Sequence, residues 1–210
     1  MIEFYDNESN LTFKCYNGMD SRTHYYREDD YYQYVLEMNS WSDQGIKDFV
    51  VEGTPLGNFF NWNNLFMNEH EHLGGQLVFA LDGDILIGCA LLTTENPSIA
   101  FSLDPANTKL FPALIDKKPK VNIDFIATNP HLRNLGYGTR FIKGIKNNEK
   151  ILTNEKESSG ITANVREDNQ PSKKAFLKND FIIVHKGNLI KTLGNYHTLY
   201  FGKHNQILKQ

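Results

Sequence analysis

The chain has only two cysteines in 210 residues, Cys15 and Cys89, and neither has a CxxC partner. A disulfide framework or a thiolate metal site is therefore not expected. Long apolar runs are missing as well. The longest, Ile85-Leu86-Ile87-Gly88-Cys89-Ala90-Leu91-Leu92, falls far below the roughly 18–20 residues that cross a bilayer, so no membrane span is predicted. Within that run Cys89 reads as a small buried hydrophobe. Nor does one sign of charge dominate: 22 Lys and Arg stand against 25 Asp and Glu, a net charge of −3. Nucleic-acid binding draws its affinity from clustered cations. The densest basic cluster, Lys117-Lys118-Pro119-Lys120, is short enough to be a solvated loop, and no nucleic-acid partner is expected. Met1–Asp6 lacks the positive and apolar regions of a signal peptide, which makes a cytoplasmic location the expectation.

What is present is ordinary globular composition, 40% hydrophobic and 22% charged. The length suits a single domain over 1–210, and no repeat or low-complexity linker divides it. Residues 11–16 alternate and read as a first strand. The spacing of Tyr31, Tyr34, Val35 and Met38, then Ile46, Phe49 and Val50, predicts short helices over 28–50. Pro55 opens a further helical stretch that ends at Gly74-Gly75. Gln76–Leu81 and Ile85–Leu92 flank the turn signal Asp82-Gly83-Asp84 and predict a hairpin. Residues 95–120 hold four of the seven prolines and no sustained period, so they read as a long loop or insertion. Beyond them come a strand at Val121–Thr128, a helix from Gly138 to about Thr153, and a strand at Gly160–Val165. A short helix at Pro171–Lys178 and strands at Phe181–Val184 and Tyr196–Phe201 complete the chain. The fold class is α/β with a mixed sheet.

The informative segment runs from Val121 to Arg140, a strand, a turn and a helix start. Gly136 and Gly138 remove Cβ atoms where backbone can approach a ligand. Successive amides there converge on one concavity, and the helix adds its positive end, which suits phosphate oxygens. A glycine pair before a helix is open to other readings. A P-loop would need Lys-Ser/Thr at the set spacing, and a dinucleotide fingerprint would need a third glycine where Phe141 stands.

The pattern Arg133-x-x-Gly136-x-Gly138, three residues after Pro130, resembles the acyl-CoA signature of the GNAT superfamily of N-acetyltransferases. A second stretch, Asn169 through Phe181, resembles that superfamily's later motif, with Ser172, Phe176 and Phe181 at its spaced positions. The likeness covers about 121–181, and Ile123-Asp124-x-x-Ala127-x-x-Pro130 is similar to the aminoglycoside 6′-N-acetyltransferase branch. It implies a mostly antiparallel central sheet with a splayed strand pair and helices on both faces. Acetyl-CoA is the implied cosubstrate. Its pantetheine arm would lie in the gap between 121–128 and 160–165, against Ile126, Ala127 and Thr128. Its pyrophosphate would meet Arg133, Asn134, Leu135, Gly136, Tyr137, Gly138 and Thr139, with Asn169, Ser172 and Phe176 beside the arm.

Amine acylation needs an acceptor for the proton that the nucleophile loses. Two-residue alternation puts Asn122 and Asp124 on one strand face, with Ile123, Phe125 and Ala127 on the other. An acid in an apolar strand is costly without a partner or a purpose, and Asp124 is the candidate catalytic residue. Its dull alternative is a structural acid. The resemblance also exposes a departure, since Phe176 stands where many members carry a Tyr whose hydroxyl protonates the leaving thiolate. No Cys or Ser is placed as a nucleophile, so direct attack by a primary amine of a small molecule, an aminoglycoside or polyamine among them, is expected. Protein N-terminal or lysine acetylation and non-catalytic CoA sensing are the alternatives, as a monomer or homodimer. No metal is expected: Glu69-His70-Glu71-His72 lacks HExxH spacing and reads as a solvated helix end. The tyrosines and acids from Tyr25 to Tyr34 read as a helix surface or as a wall for a cationic acceptor.

Overall fold

A computed structural model describes residues 1–17, 76–95, 120–153, 160–188 and 195–202, with Gln33, Tyr34, Glu37 and Trp41. Apart from those four positions, the helices expected over 28–50 and 55–74 lie outside the described residues. So does the interior of the 95–120 segment. Eight strands are described: β1 (Ile2–Asp6), β2 (Leu11–Asn17), β3 (Gln76–Asp82), β4 (Ile85–Glu95), β5 (Lys120–Thr128), β6 (Gly160–Arg166), β7 (Ile182–Asn188) and β8 (Asn195–Gly202). They form one sheet in the order β1-β2-β3-β4-β5-β6-β8-β7. Its pairs are antiparallel except β5–β6, which is parallel. A parallel neighbour needs a crossover, and the chain supplies it with α1 (Tyr137–Asn147) and α2 (Glu149–Thr153). The last described helix, α3 (Gln170–Lys178), joins β6 to β7.

The hairpin predicted at Asp82-Gly83-Asp84 is present, with Gly83 at a φ of 59° in the left-handed region that a two-residue turn needs. Two expectations need correction. The first strand is Ile2–Asp6, not 11–16. It is an edge strand with Ile2 and Tyr5 exposed, and Phe4 stacks on Phe13 at 5.4 Å. One inward aromatic leaves too little alternation to read. The helix expected from 138 to 153 breaks at Asn148, whose backbone N–H turns back to Gly144 O and Ile145 O. Its side-chain Nδ2 also donates to Gly144 O at 3.0 Å. Asparagine competes well for carbonyls at such ends, and two short helices result.

Helices cover both faces. Phe141, Ile142 and Ile145 of α1, Leu152 of α2 and Phe176 of α3 pack with Leu11, Phe13, Val78 and Val121. On the opposite face Trp41 and Tyr34, both at helical positions, pack with Leu77, Phe79 and Leu91. Gly144 lets α1 settle onto β2, because a Cβ there would stand 2.1 Å from Phe13 Cζ.

Candidate active site

The site begins where two neighbouring strands part. β5 and β6 pair only at Val121↔Ile161, Asn122↔Thr162 and Ile123↔Ala163. Past Ile123, β6 stays paired with β8 while β5 runs on beside β4. The facing edges of β5 and β6 therefore carry backbone donors and acceptors that no described strand satisfies. A bulge explains the fork. The β4–β5 register steps from Leu92↔Ile123 to Leu91↔Phe125, which makes Asp124 the extra residue. A bulge bends its strand and increases its twist, and here it swings β5 away from β6.

The same bulge overturns the simple alternation expected for this strand. Ile123 sits in the core on the α1 side, whereas Phe125 and Ala127 pack on the opposite face. The extra residue inverts the faces of everything after it. At the floor of the fork lies a buried polar pair. Thr162 Oγ1 donates to Asn122 Oδ1 at 3.0 Å. Both residues sit in the last rungs before the strands separate.

The chain leaves β5 through Asn129, which is buried and heavily used. Its backbone N–H bonds Ile87 O at 2.7 Å. Its Nδ2 donates to Leu86 O at 3.1 Å, and its Oδ1 accepts from the His131 amide at 3.0 Å. That cap starts a single 3-10 turn, Pro130–Leu132. Arg133, Asn134 and Leu135 then lie exposed. Asn134 and Gly136 take left-handed φ values of 65° and 81°, the kind of alternation that gathers amides into a nest.

Gly136 is the N-cap of α1 and offers no side chain to it, and no acid stands in the first turn. The helical ladder opens with Arg140 N–H to Gly136 O at 3.1 Å. The amides of Tyr137, Gly138 and Thr139 precede it and have no partner within the helix. Gly136 needs its glycine for backbone shape. Gly138 does not: a Cβ there would meet only Thr128 Cγ2, at an ordinary 3.6 Å. Among the described residues nothing requires a glycine at that position, and the space beside it is open to them.

The sequence-predicted residues thus divide into two groups. Ile126, Ala127, Thr128 and the 133–139 stretch share the mouth of the fork and the start of α1. Asn169, Ser172 and Phe176 belong to α3. There Asn169 Oδ1 caps the helix by accepting from the Ser172 amide at 3.2 Å. Phe176 is 1% exposed and meets Phe181 edge-on at 5.0 Å. The two groups are joined by Asn179, which sequence reasoning passed over. Its buried Nδ2 donates to Thr139 O at 3.0 Å and to Ala175 O at 2.9 Å, tying the end of α3 to the first turn of α1. An Asn just past a helix is a sequence signal for a cap, but nothing in sequence tells which neighbouring helix it will also reach.

Both cysteines are buried free thiols. Burial pushes Cys15 up to about 12 and raises Cys89 further, so neither offers a thiolate near neutral pH. Among the described residues no three His, Cys, Asp or Glu gather as metal ligands, and no helix is long and apolar enough to cross a membrane.

The fold is shared with solved acetyltransferases. An aminoglycoside N(6′)-acetyltransferase from Legionella pneumophila superposes with a TM-score of 0.57 at 15% identity, over 100% of this chain and 99% of that one. Arabidopsis thaliana NAA60 in complex with acetyl-CoA gives 0.54 at 13% identity, over 92% and 99%. A spermidine N-acetyltransferase from Vibrio cholerae gives 0.55 at 11% identity, over 96% and 98%. A search of curated protein sequences gives no significant match. Residues 21–181 match the profile of the Acetyltransferase (GNAT) family, and the chain belongs to that family. It is an acyl-CoA-dependent N-acyltransferase.

Proposed function

We propose that the protein moves the acetyl group of acetyl-CoA to a primary amine of a small molecule, by direct attack within a ternary complex. The observation that carries this reading is the fork between β5 and β6, which opens onto the uncapped first turn of α1. The pantetheine arm carries amides, and a strand edge with open donors and acceptors is their natural complement. Ile126, Ala127 and Thr128 supply that edge. The pyrophosphate lies against the amides from Asn134 to Thr139, where the helix end favours negative charge. The open space at Gly138 admits it.

Asp124, the bulge residue, stands at the start of the fork and accepts or steers the proton that the attacking amine loses. The buried, neutral thiols of Cys15 and Cys89 favour direct attack over a covalent acyl-enzyme. Phe176 brings no hydroxyl to the leaving thiolate. A thiolate is stable enough near neutral pH to leave without a dedicated acid.

Fold relatives with named aminoglycoside and spermidine substrates support a small cationic acceptor. The test is release of free CoA thiol from acetyl-CoA over a panel of aminoglycosides, polyamines, amino acids and peptides with free N-termini. Turnover with one small-amine class is the expected result. Turnover with peptides alone, or CoA binding with no turnover on any amine, would overturn the proposal.

A further inference from the structure

Arg140 closes the glycine motif, one residue past the proposed phosphate cradle. The structure commits it elsewhere. Its Nη1 pairs with Asp82 Oδ2 at 3.1 Å, its Nε donates to Ser9 O at 2.8 Å and its Nη2 donates to Asn10 O at 2.6 Å. The guanidinium also lies 4.9 Å from the centre of the Tyr137 ring. Tyr137 in turn donates its hydroxyl to the same Asp82 oxygen at 3.0 Å. Asp82 ends β3 at the hairpin, and Ser9 and Asn10 form the turn between β1 and β2. One carboxylate oxygen therefore holds two side chains of the first turn of α1 and sets that turn against two separate hairpins.

Farther along, the same helix face stays fastened to that turn. Lys143 Nζ reaches Glu8 O at 3.2 Å, and Asn147 Nδ2 reaches Glu8 Oε2 at 3.0 Å. Gly144 seats the helix on Phe13. These contacts fix the axis of α1, and the Asp82 group fixes its N-terminal turn.

We infer that Asp82 and Arg140 are positioning residues for the donor's pyrophosphate. They aim the amides of Tyr137, Gly138 and Thr139 without touching the ligand. The phosphate site then relies on backbone amides, since the charge of Arg140 is already matched by Asp82. An anion held by amides is sensitive to their direction, because donors must converge on one point. This inference rests on the placement of pyrophosphate proposed above.

The test uses two ligands, CoA and pantetheine, which shares the arm but lacks the pyrophosphate. Their Kd values are measured on the full chain by calorimetry and by competition, for wild type, Asp82→Asn and Arg140→Lys. Thermal melts run alongside. Wild type should bind CoA far more tightly than pantetheine. Each variant should weaken CoA by about tenfold, roughly 1.4 kcal/mol, while pantetheine shifts by less than about twofold. Asp82→Glu, which keeps the carboxylate, should recover part of the CoA affinity. Equal weakening of both ligands would mean that the group only supports the fold, and the inference falls. Unchanged CoA affinity in both variants would also overturn it. If wild type fails to distinguish CoA from pantetheine, the pyrophosphate cradle itself is wrong, an outcome separate from either variant result.

Discussion

Three register shifts interrupt this sheet: one in the β3–β4 hairpin, one in the β4–β5 pair, and one in the β7–β8 pair, where Val184 is the extra residue; the first two flank the fork. In the first, the register steps between Ala80↔Gly88 and Leu81↔Leu86, and Ile87 is the extra residue. Ile87 is buried in the core, and its carbonyl accepts the Asn129 amide. In the second, the extra residue is Asp124, and the strand leaves its parallel neighbour within one step. The helix starts differ in the same sense. α3 is capped by the Asn169 side chain and has a proline in its first turn, whereas α1 has neither. An unpaired strand edge and an uncapped helix start thus meet at the mouth of the fork, whereas the bulge at Ile87 is closed by the Asn129 amide. Unsatisfied backbone groups are costly when buried, so the meeting of these two features reads as room kept for a ligand.

The contrast can be broken by substitution, starting with the bulges. Asp124→Asn should lower kcat/KM by about 10²–10⁴-fold at neutral pH while CoA affinity and melting temperature hold. The residual rate should recover at higher pH, where more of the amine is already neutral. Ile87→Val should do the reverse, costing about 0.5–1.5 kcal/mol of stability with turnover unchanged. Full turnover of Asp124→Asn across the pH range would remove Asp124 from the chemistry.

Glycines sharpen the contrast next. A Cβ at Gly88 would stand 2.5 Å from Ala127 O, a backbone atom that must move to admit it. Gly88→Ala should therefore destabilise by about 1–3 kcal/mol, read by urea unfolding. Gly138→Val should melt near wild type yet weaken CoA by at least about tenfold. A folded Gly138→Val protein with unaltered CoA affinity would show that the open space is not the phosphate site.

The capped helix gives a smaller effect. Asn169→Ala removes the bond to the Ser172 amide and should cost about 0.5–2 kcal/mol of stability. Gly136 offers no side-chain cap to lose. The smallest effect concerns pH. Burial holds Cys15 up to about 12, above its ordinary value, so the folded state keeps a proton that the unfolded chain gives up first. The stability this thiol contributes is complete below its ordinary pKa and is lost as pH climbs toward about 12. Alkaline melts of Cys15→Ala should fall less steeply than those of wild type.

Much of this was legible in sequence because it depends on local rules. The hairpin at Gly83, the strand before Pro130 and the glycine-led start of α1 each follow from turn chemistry or short periodicity. Two spaced motifs also carried the family. What was not legible depends on partners distant in sequence. The bulge at Asp124 arises from the register against β4, and alternation alone put Ile123 on the same face as Phe125. Arg140 is held by Asp82, 58 residues away, which no local pattern announces. Asn179 reaches Thr139 across 40 residues. Strand β1 was missed because an edge strand with a single inward aromatic carries almost no pattern.

The central claim is that the donor's pyrophosphate rests on the open amides at the start of α1. Backbone amide shifts of the nitrogen-15-labelled protein, titrated with CoA, test it most directly. At saturation the amides of Gly136, Tyr137, Gly138 and Thr139 should shift downfield more than any others in the helices, as hydrogen bonds to phosphate form. The Ser172 amide, already bonded to Asn169, should move less. If CoA saturates the protein while those four amides stay in place, the account is contradicted.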